Sequence, residues 1–367
     1  YGAKNAEGVR KAVHTTMAIA LAAGVLLTII GIAVTPTMLR LMGTPDKVFE
    51  QSVVYLQVYF GGSLFSVVYN MSAGVLNAVG NSRRSLIYLI IAAVSNIFLD
   101  LVMVVGLKLG IVGAALATDI SQLISCIFIW GFLIRSEEVY KLNVREIRCY
   151  DHLLSKIIKI GIPTGIQNIV ISFSNLIVQS SVNSFGATVM AGFAAYIKID
   201  GFNILPVLSI SMAATTFAGQ NIGAGKPDRV RKGMFVSTAM GVGYSIVTGI
   251  VLLIFAPQVI GVFTTNQKVV EYGVFIMRYF CPFYWMLAML HVLGGTARGV
   301  GKTMQTMIVF LLSLCGFRIL WIAVVMTLAR DLGNMMLCYP TSWLVGMLLM
   351  VLYVWKGLKF SGRNVQN

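Results

Sequence analysis

Asn96 and Asp100 stand four residues apart, so on a helix their side chains share one face, and Thr118 follows on the next apolar segment. An amide carbonyl, a carboxylate and a hydroxyl make a hard-oxygen set that suits a small hard cation, and the carboxylate could equally carry a proton. The polar turn between the two segments centres near Leu109. Asp100 and Thr118 then lie nine residues to either side of it, or about 13 Å along helices rising 1.5 Å per residue. That depth is close to the midplane of a hydrocarbon core about 30 Å thick. A carboxylate there is costly unless it is protonated, paired or bound to a cation. Asn96, Asp100 and Thr118 are therefore the expected cation-binding residues, with sodium the metal they could hold. The competing reading is an interhelical hydrogen-bond cluster. Asp119 points about 100° away from Thr118 around the same helix and is a candidate proton-relay partner.

Other polar groups also fall inside apolar segments. Lys198 and Asp200, two residues apart, do not face each other; either each pairs separately between helices, or they line a substrate cavity. Arg278 and Arg318 are placed nearer the outer ends of their segments, from which long side chains snorkel. Aromatic residues cluster on two segments, as Tyr59, Phe60, Phe65 and Tyr69 and as Tyr279, Phe280, Phe283, Tyr284 and Trp285. Interface belts and packing account for most of them, while Tyr69 and Tyr284 are candidates for stacking on a flat cationic substrate.

The elements that must position these groups are membrane helices. The 367 residues are 57% hydrophobic and 11% charged, with a mean hydropathy of +0.84. That leaves too few charges for a water-exposed surface and too many apolar runs for one buried core. Runs of about 20 or more mostly apolar residues occupy roughly 14–35, 49–77, 84–107, 110–134, 157–183, 188–218, 233–256, 270–296, 304–329 and 333–355. Their length excludes barrel strands, which would alternate over about ten residues. The fold expected is an all-α polytopic membrane protein with ten visible spans.

The net charge of +15 does not mark a nucleic-acid binder, because the positions of the basic residues follow the membrane. With turns assigned alternately to two sides, 20 of the 28 fall on the side of residues 1–13 and 5 on the other, and Lys198, Arg278 and Arg318 remain inside helices. By the positive-inside rule the first side is the cytoplasm, which also places the C-terminus there. Five scattered cysteines imply neither a disulfide framework nor a zinc site. Gly299-Val300-Gly301-Lys302-Thr303 has Thr296 where a phosphate loop needs glycine, and His14, His152 and His291 show no metal spacing. No cofactor is expected, and with no ATP site the energy must come from an ion gradient. The start reads as a polar cytoplasmic turn, not a signal peptide.

The chain also matches itself without a gap at an offset of 221. Tyr1-Gly-Ala-Lys falls on Ile222-Gly-Ala-Gly, Lys47-Val48 on Lys268-Val269, and Gly74-Val-Leu-Asn-Ala-Val-Gly80 on Gly295-Thr-Ala-Arg-Gly-Val-Gly301. Residues 1–150 then form a first lobe of four helices ending in a polar linker at about 136–150. Residues 151–367 form a second lobe of six helices with a short cytoplasmic tail. Even helix numbers give the lobes the same orientation, as in parallel-repeat transporters. About seventy N-terminal residues, two helices, are expected to precede Tyr1. At the same offset Asn96 becomes Phe317 and Asp100 becomes Trp321, so the second lobe lacks the cation site.

Gly219-Gln-Asn-Ile-Gly-Ala-Gly-Lys226, Tyr1-Gly-Ala-Lys4, Gly74-Val-Leu-Asn-Ala-Val-Gly-Asn81 and Gly110-Ile-Val-Gly-Ala-Ala-Leu-Ala-Thr118 together resemble the multidrug and toxic compound extrusion (MATE) family. The resemblance implies twelve helices in two lobes, a V-shaped cavity, and export of drug-like, often cationic small molecules in exchange for sodium or protons. It also implies that Asn96, Asp100 and Thr118 bind the coupling ion together with an aspartate of a first helix not contained in this chain. The expected setting is a monomer in the plasma (inner) membrane, with the lipid bilayer and a small-molecule substrate as partners. A lipid-linked oligosaccharide flippase of the same superfamily is the nearest alternative, and a membrane-embedded enzyme or scaffold the alternative of another class.

Overall fold

Every apolar run becomes a helix in the structure, a computed structural model that describes residues 1–357; Lys359, Arg363 and the rest of the tail lie outside the described residues. The helices are α1 (Ala6–Leu41), α2 (Asp46–Gly61), α3 (Ser63–Ala78), α4 (Ser82–Asp100), α5 (Gly110–Arg135), α6 (Asp151–Asn183) and α7 (Ala187–Gly223). They continue as α8 (Pro227–Ile254), the short α9 (Ala256–Gly261), α10 (Gln267–Phe280), α11 (Tyr284–Gly299), α12 (Thr303–Leu311), α13 (Phe317–Leu328) and α14 (Leu332–Gly357). By length and composition the described residues hold nine membrane-crossing helices, and ten when α2 and α3 are taken as one span bent by 43° at Gly62. Outward-facing Ile29, Phe98, Val105, Ile169 and Phe202 are each more than half exposed, as lipid-facing side chains should be.

Local chemistry sets the ends. The Asn5 side chain accepts the Gly8 N–H at 2.8 Å and caps α1, Asn266 does the same for Lys268 ahead of α10, and Pro227 opens α8 where its missing N–H costs nothing. The turns also prove the duplication atom by atom. Gly80 and Gly301 both take left-handed backbone, at φ 86° and 84°. The bonds Val79 N–H to Val75 O, Gly80 to Asn77 and Asn81 to Leu76 recur as Val300 to Thr296, Gly301 to Arg298 and Lys302 to Ala297. Helix starts keep the same register, since 267 − 46, 284 − 63 and 303 − 82 all give 221.

The chain divides into two compact units at Ile157–Ile158, within α6. In the first, α1 packs on α2 and α3, and α5 packs on α2, α3 and α4. Val13, Met17, Tyr69, Leu76, Ile129 and Leu133 fill the contact. In the second, α11 is the central helix, packed on α7, α8 and α14 around Phe193, Phe280, Leu290, Phe310 and Trp343.

The linker between Arg135 and Asp151 is pinned to α1. Tyr140 and Leu142 are buried, the Asn143 N–H reaches His14 Nε2 at 3.0 Å, and Arg10 clasps Glu146 through an ion pair. The hydrogen bond from Arg10 holds the Glu146 carboxyl below its usual range. A depressed carboxylate contributes stability above its free pKa and loses it as pH falls through the lowered value. The linker is therefore expected to stay docked at neutral pH and loosen only in acid. Glu146→Gln should loosen it at neutral pH as well, read as faster protease cleavage within 136–150.

Candidate functional site

Asn96 and Asp100 sit in the last turn and a half of α4, and immediately beyond them the backbone changes to a π-helical turn over Leu101–Gly106. Such turns interrupt the regular ladder and recur at functional sites. Both residues are half-buried, and two of their polar atoms, Asn96 Nδ2 and Asp100 Oδ1, are buried with no hydrogen-bond partner. Buried polar atoms without partners are uncommon because each forfeits its hydration. The carboxylate oxygen is an acceptor that a cation or a proton would satisfy, whereas the Asn96 amide as placed presents a donor there. An amide turned by 180° presents Oδ1 in place of Nδ2, so the pair can offer two oxygens. The donor chemistry fits sodium or a proton, whereas the described residues contain no cluster of three His, Cys, Asp or Glu for a transition metal.

Thr118 lies on α5, which packs along α4. Its hydroxyl donates to the Ala114 carbonyl at 3.0 Å, leaving the oxygen lone pairs free to accept. Asp119 turns to a different neighbour, as the 100° step requires. Its carboxylate lies against the main chain of Gly62, at the break between α2 and α3, where a Cβ would collide with it. The position that carries Asp119 thus meets the hinge of the bent span rather than the Asn96–Asp100 face.

In the second unit Asp200 is half-buried and accepts from the Tyr196 hydroxyl at 3.1 Å, and the Tyr196 oxygen lies 2.8 Å from that of Tyr284. Lys198 is exposed, its ammonium 5.4 Å from the Phe263 ring centre, so it and Asp200 occupy separate surroundings. Tyr69 is buried and its hydroxyl donates to the Ser85 carbonyl at 3.0 Å, a clamp between α3 and α4. Tyr284 is buried among Tyr196, Phe280 and Trp343. Arg278 is exposed, as a snorkelling residue should be.

Arg318 is a correction. The span runs over Thr303–Leu328, which puts Arg318 near its middle, and the side chain is 3% exposed. Its Nε donates to Ser342 Oγ at 3.0 Å and its Nη1 to Asn175 Oδ1 at 2.9 Å, with the guanidinium 4.3 Å above the Tyr339 ring. It turns inward because two other helices, α6 and α14, offer it partners, which no window of its own sequence reveals. Tyr196 was also unanticipated, although its spacing of four from Asp200 was a usable signal.

Among the described residues a buried carboxylate oxygen, Asp100 Oδ1, stands without a hydrogen-bond partner inside a span of a helical membrane repeat, an arrangement familiar from secondary transporters. The chain belongs to the MatE family, whose model matches residues 1–102 and 163–324. It is 27% identical over 367 residues to Probable multidrug resistance protein YoeA of Bacillus subtilis, covering 97% of this chain and 79% of that protein. With Probable multidrug resistance protein YpnP of the same organism it shares 29% over 284 residues, covering 77% of this chain and 63% of that one. A solved MOP superfamily transporter from Pyrococcus furiosus matches the fold with a TM-score of 0.88 at 21% identity, covering 99% of this chain and 80% of its own.

Proposed function

We propose that this transporter exports drug-like, often cationic small molecules in exchange for sodium or protons, by alternating access. The coupling cation binds at Asn96, Asp100 and Thr118 in the first lobe. The observation that carries this reading is Asp100 Oδ1, a buried carboxylate oxygen without a partner, on the face of α4 that it shares with Asn96 and beside a π turn. The names of the relatives, multidrug resistance proteins, support the substrate class. Asp119 at the Gly62 break is the relay through which loading of the first lobe reaches the bent span. The setting is the plasma (inner) membrane, with the C-terminus in the cytoplasm on the side richer in basic residues.

The test is efflux of a fluorescent lipophilic cation from proteoliposomes holding the full-length protein. An imposed sodium gradient, or a proton gradient, directed against substrate movement should accelerate efflux severalfold over the gradient-free rate. Efflux that ignores both gradients would sink the antiport reading.

A further inference from the structure

At its basic end the second unit holds a groove of about 500 Å³ between α8 and α14, with α11 behind them. Met234, Leu293 and Val351 line it with apolar surface, and Arg231 stands in its wall. Arg231 lies near the start of α8 and Trp355 in the last turn of α14, so both belong at headgroup level, where such side chains favour the membrane interface. Trp355 is 80% exposed and Phe235 61%, so the groove opens outward, towards lipid. Among the described residues no acid pairs with Arg231, and Asp228, one turn back, is the only acid in the sequence of α8.

The repeat shows what this groove is shaped to take. At the offset of 221, Arg231, Phe235 and Val354 correspond to Arg10, His14 and Leu133. In the first unit those three positions are where the linker docks. Glu146 pairs with Arg10, the Asn143 N–H reaches His14 Nε2 at 3.0 Å, and the Leu142 N–H donates to the Leu133 carbonyl at 2.9 Å. Leu142 is buried in one core cluster with Val13 and Leu133. An apolar plug and an acid for the arginine thus close the first unit. Residues 358–367 follow α14 as 137–146 follow α5, but in sequence they offer neither part at those positions. Arg363 falls on Leu142 and Asn367 on Glu146, and no Asp or Glu occurs among them. The walls have diverged as well. Trp130, whose Nε1 donates to Ser72 Oγ at 3.2 Å, becomes Val351, and Ser72 becomes Leu293, so a bulky indole gives way to valine and the lining there turns aliphatic.

We infer that the groove binds an anionic phospholipid from the leaflet on the basic side, its phosphate on Arg231 and one acyl chain along Leu293 and Val351. Such a lipid brings what the linker brings to the first unit, a negative charge and apolar bulk, and basic pockets between membrane helices are where acidic headgroups settle. The depth fits an acyl chain. Met289, at the inner end of the lining, precedes the end of α11 at Gly299 by ten residues. At 1.5 Å per residue that is about 15 Å, one leaflet of a core about 30 Å thick. The lipid site does not depend on the cation site proposed above.

Native mass spectrometry and thermal unfolding of the delipidated full-length protein test this, with phosphatidylglycerol and phosphatidylcholine of equal chain length as probes. Phosphatidylglycerol should be retained as a single adduct and raise the melting temperature by several degrees at concentrations where phosphatidylcholine does neither. Arg231→Gln should weaken the phosphatidylglycerol response by about fivefold. Arg229→Gln removes the same charge two residues back, about 200° around α8, and should leave the response within about twofold of wild type. Val351→Trp with Leu293→Ser restores the first unit's pair and should abolish the adduct. If that variant fails to accumulate, the comparison of Arg231→Gln with Arg229→Gln decides alone. Equal responses to the two lipids, or equal losses in the two arginine variants, would overturn the site, as would inorganic phosphate replacing the lipid in full. If lipid binds only after residues 358–367 are removed, the occupant is the chain's own tail and the inference fails.

Discussion

Asp100→Asn in the full-length protein is expected to abolish cation-driven export while leaving insertion and folding intact. Asparagine has nearly the volume of aspartate and keeps one carbonyl oxygen, so packing against α5 is preserved. The ionisable group is what is lost. Asp100 Oδ1 is buried without a partner, and an unsatisfied buried group of this kind costs about 1–3 kcal/mol, more when charged. In a cation-free medium the variant should therefore melt at or above the wild-type temperature. Wild type should be stabilised by added coupling cation in proportion to RT ln(1 + [L]/Kd), and the variant should show no such rise. A hydrogen-bond clamp behaves oppositely, since removing a clamp destabilises the fold under every ionic condition. Wild-type transport by Asp100→Asn would remove the residue from the coupling site.

The largest structural effect is expected at Gly295. Here α11 lies so close to α7 that a Cβ on Gly295 would fall on the Ser211 carbonyl, and one on Gly299, a turn later, on that of Thr215. The close approach lets side chains of α7 bond to the main chain of α11: Ser211 Oγ donates to the His291 carbonyl at 2.6 Å and Thr215 Oγ1 to that of Gly295 at 2.8 Å. Small residues four apart, with hydroxyls bridging the helices, are the usual means of packing membrane helices, where no hydrophobic force separates helix from lipid. Gly295→Val must part the helices. Overpacking costs about 1–3 kcal/mol, and the two strained hydrogen bonds add about 0.6 kcal/mol each. We expect reduced accumulation and a clear loss of monodisperse protein after heating. Gly243→Ala, on an exposed face of α8 with nothing within 4 Å of the added methyl, should change neither. A Gly295→Val protein that survives heating like wild type would show that this contact does not hold the unit together.

Much of this was legible in the residues alone. Hydropathy along the chain is a local property, and lipid removes every alternative to a helix for a long apolar run, so the spans follow directly from sequence. The duplication was equally readable, because main-chain turns such as Gly80 and Gly301 preserve register after side chains have diverged. The shared face of Asn96 and Asp100 is fixed by helical geometry once α4 exists. The bend at Gly62 was less visible, since an apolar run broken by two glycines reads the same whether the helix continues or turns.

The sequence by itself determined the class of protein, the repeat and the face on which the first-lobe carboxylate lies, since each depends on spacing along one or two helices. Only the tertiary structure decided what the remaining polar groups meet. Asp119 finds the Gly62 main chain 57 residues upstream, and Arg318 finds Asn175 143 residues away and Ser342 on the next helix. A charged side chain within a span has to be satisfied, but its own helix offers it only a direction. The partner is supplied by whichever helix packs there, and that is set by the whole fold.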